Sequence, residues 1–67
     1  MNIRVNDKPH AVAERATLHD LLAELGHAAK RGVAVAVNDA VVTRSGWTAH
    51  KLVEGDRILV IQATQGG

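Results

Sequence analysis

The run Arg57-Ile58-Leu59-Val60-Ile61-Gln62 places apolar side chains on both faces of an extended strand. Successive side chains of a strand point to opposite faces, and strands apolar on both faces belong in the middle of a sheet. The material available to surround such a strand is limited. The chain has 67 residues, 46% of them apolar, but eleven are alanine and Trp47 is the only aromatic. A domain of this size buries roughly 60% of the surface its unfolded chain exposes, so its core is thin. A deep, enclosed active-site cavity is not expected.

The rest of the chain supplies neighbours for that strand. Met1, Ile3 and Val5 alternate with Asn2 and Arg4, which reads as a half-buried first strand. Asn6-Asp7 is turn chemistry, and after Pro9 the segment His10-Ala11-Val12-Ala13 reads as a second strand closing a hairpin. Thr17 followed by Asp20 forms a capping-box pattern, and Leu18, Leu21, Leu22 and Leu25 make one apolar stripe of a short helix that Gly26 stops. Val33-Ala34-Val35-Ala36-Val37 is a third strand with valines on one face and alanines on the other. Asn38-Asp39 turns into Val41-Val42, residues 43–53 are irregular, and Glu54-Gly55-Asp56 turns into the last strand.

The order is ββαβ(β)β. It predicts a two-layer α+β domain of the β-grasp (ubiquitin-like) type: a mixed four- to five-stranded sheet packed on one helix, with the last strand beside the first and parallel to it. The expected domain spans residues 1–63. Residues 64–67 are expected to form a flexible tail ending in Gly-Gly.

Charge and composition exclude several function classes. Eight basic residues against seven acidic give a net charge of +1, and the basic ones are scattered. With a single aromatic there is no platform for stacking bases, so no nucleic-acid partner is expected. The chain has no cysteine. His10, His19, His27 and His50 show no i, i+4 pair, so no metal site is expected. No run has the length or apolarity of a membrane span or an export signal, which predicts a cytoplasmic protein without a membrane partner. Lys30-Arg31 reads as solvated loop charge, and Trp47 reads as a plug for a core poor in large side chains.

Parity singles out one surface. If Ile58 and Val60 face the helix with Val35 and Val37, then Leu59 and Ile61 point to the other face of the sheet, beside Ala34 and Ala36. With one helix in the chain, nothing covers that face unless residues 43–53 fold across it. Uncovered apolar surface marks a docking site, so Leu59, Ile61, Ala34 and Ala36 are the expected partner-docking residues.

Across its whole length the sequence resembles the ThiS family, the ubiquitin-like sulfur carriers of thiamin thiazole biosynthesis. The resemblance is carried by the opening strand and Asn6-Asp7, by Thr17-Leu18 and Asp20-Leu21-Leu22, and by Val35-Ala36-Val37-Asn38. It continues through Val41-Val42, Arg44-Ser45 and Trp47, then Gly55-Asp56-Arg57-Ile58 and Gly66-Gly67. Thr43 stands where the family usually has proline, which predicts a looser loop there, and the tail Ala63-Thr64-Gln65-Gly66-Gly67 is more polar than is common.

The resemblance implies a carrier and cosubstrate with no catalytic residues and no bound cofactor. An E1-like, ThiF-type adenylyltransferase uses ATP to adenylate the carboxylate of Gly67. A sulfur donor system (a cysteine desulfurase) supplies the sulfur that converts the adenylate to a thiocarboxylate, and a ThiG-type thiazole synthase takes it. Gln65 and Gly66 form the tail that presents Gly67. The residue chemistry is consistent with this: glycine leaves the acyl carbon unhindered and lets the backbone thread a narrow channel, since no Cβ obstructs it. Other uses of the same fold remain open at this point. They are the small subunit of molybdopterin synthase or another sulfur carrier such as one serving cysteine synthesis, a ubiquitin-like modifier forming isopeptides, and a binding module with an idle tail.

Overall fold

In the computed structural model, which describes residues 1–62, the last strand is the middle of the sheet. The elements are β1 (Asn2–Val5), β2 (Lys8–Ala11), α1 (Leu18–Glu24), β3 (Val33–Val37), β4 (Ala40–Val42), a 3-10 turn (Arg44–Gly46) and β5 (Arg57–Gln62). The sheet order is β2-β1-β5-β3-β4. β5 runs parallel to β1 and antiparallel to β3, in the central position expected of a strand apolar on both faces. The expected β-grasp architecture is therefore present, with five strands, the upper of the two counts the sequence allows.

Two turns of the same kind set the hairpins. Asn6 and Asp7 have φ of 50° and 67°, and Asn38 and Asp39 have φ of 50° and 72°. Two consecutive left-handed residues give the type I′ turn, whose twist matches that of paired strands, and Asn and Asp tolerate this region better than other side-chain-bearing residues. The first turn corrects one expectation. The second strand begins at Lys8, not at His10, and ends at Ala11, because a two-residue turn puts Lys8 directly opposite Val5 and Asn2 opposite Ala11. Pro9 sits within this edge strand, where a missing N–H costs no central ladder bond.

The helix is closed at both ends by the sequence that surrounds it. The Thr17 hydroxyl accepts from the Asp20 amide at 3.2 Å, and the Asp20 carboxylate accepts from the Thr17 amide at 3.0 Å. The next unpaired helix amides, of Leu18 and His19, donate to the carbonyls of His50 and Trp47. At the other end Gly26 has φ of +83°, and its N–H and that of His27 return to Ala23 and Leu22. This double return with a left-handed glycine is the Schellman stop.

α1 lays Leu18, Leu21 and Leu22 on Ile3, Val35, Val37 and Ile58 of the sheet, and Leu25 reaches the margin of this core half-buried. Trp47 is 1% exposed and donates from Nε1 to the Val42 carbonyl at 3.0 Å, so it is the core plug that the composition called for. Arg44 lies over its ring, 4.6 Å from the centroid, and its guanidinium donates to the carbonyls of Ala28 and Lys30. One side chain thus ties the loop after the helix to the 3-10 turn. Thr43 enters that turn at φ −69°, the value a proline ring would impose.

Candidate functional site

The candidate site is built on β5, and its geometry follows from pairing parity. Val35 pairs with Val60 and Val37 with Ile58, so these four share the face under the helix. Ala34 pairs with Ile61 and Ala36 with Leu59 on the opposite face. Burial follows the same alternation: Ile58 is 3% exposed, whereas Leu59 is 48% and Ile61 54%. Val60 is half-buried at the end of the core. Residues 43–53 do not cross the outer face. Trp47 and Leu52 from that segment are buried in the core beneath the sheet, so Leu59 and Ile61 keep their exposure.

The structure adds a residue to this surface that strand-by-strand alternation did not find. Val41 pairs with Ala36 and is 76% exposed, which extends the apolar face from β5 across β3 to β4. The Asn38-Asp39 turn was the available signal, since a two-residue hairpin fixes Val37 opposite Ala40 and hence Ala36 opposite Val41. One end of the face carries charge. Arg57 pairs with Asp39 at 2.9 Å, and Arg4, which faces Arg57 across the parallel ladder, donates to the Asp7 carbonyl at 2.8 Å. Together with Asn6, Ala36 and Leu59 these residues line an open recess of about 380 Å³ between the two Asn-Asp turns.

β5 itself is held from both sides by asparagine side chains. Asn38 Oδ1 accepts from the Arg57 amide at 2.9 Å, at the start of the strand. Asn6 Oδ1 accepts from the Val60 amide at 2.8 Å, and Asn6 Nδ2 donates to the Val60 carbonyl at 3.4 Å. Beneath the start of β5 lies Asp56, 4% exposed, which accepts from Asn38 Nδ2 and from the Val53 amide, both at 2.9 Å. The sequence marks these residues only as turn formers.

Gln65, Gly66 and Gly67 lie outside the described residues, as does the expected boundary at residue 63. The histidines occupy separate places. His10 approaches Glu24 at 3.3 Å, and among the described residues no three histidine, aspartate or glutamate side chains are grouped as metal ligands. Among the same residues no helix is long and apolar enough to cross a membrane.

Comparison with known proteins places these features in a family. A family model described as the ThiS family matches residues 3–67. The sulfur carrier protein ThiS of Escherichia coli is 37% identical over 67 residues, and the alignment covers all of both chains. A thiazole synthase of Magnetococcus marinus is 42% identical over 67 residues, which is all of this chain and 20% of that protein. The crystal structure of a thiamine biosynthesis protein (ThiS) from Geobacter metallireducens matches with a TM-score of 0.83 and 33% identity over the whole of both chains. A solution structure of a thiamine biosynthesis protein from the same organism matches with a TM-score of 0.81, covering 88% of that chain.

Proposed function

The chain belongs to the ThiS family, and from that premise we propose that it carries sulfur for thiamine biosynthesis on the carboxylate of Gly67. It is a carrier protein and not a catalyst. The observation that carries this reading is the end-to-end match to a sulfur carrier at 37% identity. The apolar face on β5, the strand that leads toward Gly66-Gly67, supports it.

A free carboxylate is a poor electrophile. In the proposed cycle a ThiF-type adenylyltransferase brings ATP, the Gly67 carboxylate oxygen bonds to the α-phosphorus, and pyrophosphate leaves. AMP is then the leaving group when the outer sulfur of a cysteine-derived persulfide, delivered by a desulfurase, bonds to the acyl carbon. A thiol reductant cleaves the S–S bond of that acyl disulfide to release the thiocarboxylate. The thiocarboxylate passes its sulfur to a ThiG-type thiazole synthase, a partner supported by the thiazole synthase that contains a stretch similar to this chain. ATP belongs to the activating enzyme and this chain holds no cofactor of its own. The cytoplasm, where ATP is available to that enzyme, is the proposed location.

The domain's part in this chemistry is docking and reach. Leu59, Ile61, Ala34 and Ala36, joined by Val41, are the proposed docking surface, and burying each large side chain there contributes roughly 1.5–3 kcal/mol. Fully extended, five residues such as 63–67 span at most about 18 Å, which bounds the distance from the end of β5 to the reacting carboxylate. Mass spectrometry of the protein recovered from cells tests the reading. The expected species has one oxygen replaced by sulfur and disappears when Gly67 is deleted. High-mass conjugates to lysines in place of that species would overturn it.

A further inference from the structure

We propose that Asn6 is a positioning residue for the carrier function: its side-chain amide holds β5 at Val60 and so sets the position of Ile61 and Gln62, the last described residues of the strand that leads on to Gly67. The proposal rests on the carrier reading given above.

The argument begins with a mismatch in strand length. β1 ends at Val5, which pairs with Ile58, and the chain then turns away into β2. β5 continues for four more residues to Gln62. The Asn6 amide still donates to the Ile58 carbonyl at 2.9 Å, but no further main chain of β1 is available for Val60. The Asn6 side chain takes that place. Its oxygen receives the Val60 N–H and its nitrogen donates to the Val60 carbonyl, in place of the carbonyl and the N–H, two residues apart, that a continued parallel strand would have offered. Among the described residues the ladder past Val60 is one-sided: Ile61 and Gln62 pair with Ala34 and Val33 of β3 and with nothing of β1. Among the described residues Asn6 is therefore the last fixed point on the β1 side of β5.

Residue type matters here. The position needs a backbone at φ of 50° together with a side chain offering both a donor and an acceptor. Glycine satisfies the first requirement alone. Aspartate satisfies the first and can accept from Val60 but cannot donate. Asn38 provides an internal control, because it occupies the same kind of turn with the same φ and clamps the same strand. Its clamp acts on Arg57, at the end of β5 away from the tail. A purely stabilising role predicts that both asparagines matter alike for sulfur transfer. A positioning role predicts that only Asn6 does.

The test compares Asn6→Gly, Asn6→Asp and Asn38→Gly with the wild-type chain in two measurements. In ATP–pyrophosphate exchange by the cognate activating enzyme, Asn6→Gly lowers kcat about tenfold at nearly unchanged KM, because the docking face is intact and only the placement of the carboxylate suffers. Asn6→Asp recovers most of that loss through the bond from the Val60 amide. Asn38→Gly keeps the wild-type kcat although its thermal midpoint falls at least as far. In ¹⁵N relaxation of the free protein, order parameters at Ile61 and Gln62 drop in Asn6→Gly and not in Asn38→Gly. Equal losses of kcat in the two glycine variants, or unchanged kcat and order parameters in Asn6→Gly, overturn the proposal. A wild-type chain that supports no exchange overturns the carrier reading instead, and the order parameters then decide the role of Asn6 by themselves.

Discussion

Asn38 donates from Nδ2 to one carboxylate oxygen of Asp56 at 2.9 Å, while the other oxygen of Asp56 receives the Val53 amide. Asp56 is the one buried charged side chain among the described residues, and it joins the β3–β4 turn to the turn that launches β5. A buried carboxylate is tolerated when its oxygens are met by donors, and here each oxygen has one. An amide in its place offers a single acceptor. Asp56→Asn therefore forces an N–H against a donor and is expected to cost about 1–3 kcal/mol. Urea denaturation measures this as a lower midpoint with an unchanged slope, and an unchanged midpoint contradicts it.

Leu59 and Ile58 are neighbours with opposite fates. Leu59→Asp places a charge on the open face and is expected to leave the thermal midpoint nearly unchanged. Its affinity for the activating enzyme should fall about tenfold or more, since a lost large apolar contact is worth at least ~1.4 kcal/mol. Ile58→Asp puts an unpaired charge at a position 3% exposed and is expected to unfold the domain. Calorimetry on both variants decides, and comparable unfolding by Leu59→Asp would refute the assignment of faces.

Deletion of Gly67 should leave the melting curve intact while reducing ATP–pyrophosphate exchange by roughly 100-fold or more, because a shift of about 1 Å at a reacting centre already costs on that order. The same exchange rate from the shortened chain would remove the proposed site of adenylation.

The capping box carries a pH signature. The Thr17 backbone and side chain, both hydrogen-bonded with Asp20, hold the Asp20 carboxyl below its ordinary value, outweighing the opposing effect of desolvation. A depressed folded pKa contributes stability above the unfolded pKa of about 3.9, and that contribution is lost as pH falls through the lower folded value. Asp20→Ala should therefore melt below wild type at neutral pH, with the gap closing as pH drops below about 4. A gap that stays constant into acid would show that the charge of Asp20 is not what stabilises the cap.

Thr43 offers a stabilising change. Its φ of −69° and ψ of 157° suit proline, and Val42 before it is in a strand, the conformation that proline demands of its predecessor. In the β3–β4 ladder Val42 is paired with Val35, and the next residue turns its N–H away from β3. Thr43→Pro should raise stability by about 0.4–1 kcal/mol by restricting the unfolded chain, after the Thr43–Ser45 hydroxyl contact is given up. A lower denaturation midpoint would show that contact to be worth more than the restriction.

What the sequence determined by itself is whatever repeats locally. Alternation assigned Ile58 and Val60 to one face and Leu59 and Ile61 to the other, and the leucine spacing, the Thr17–Asp20 box and Gly26 fixed the helix with its ends. These features are legible because each depends on residues within a turn or two of one another. The tertiary structure decided the rest. That the second strand starts at Lys8, that Val41 joins the open apolar face and that Asp56 is buried depend on hairpin register and on which turns meet. The clamp of Asn6 on Val60 spans 54 residues. Nothing in the local pattern around Asn6 tells a turn former from a strand clamp, because the amide meets Val60 only where β5 lies beside β1 and outruns it by four residues.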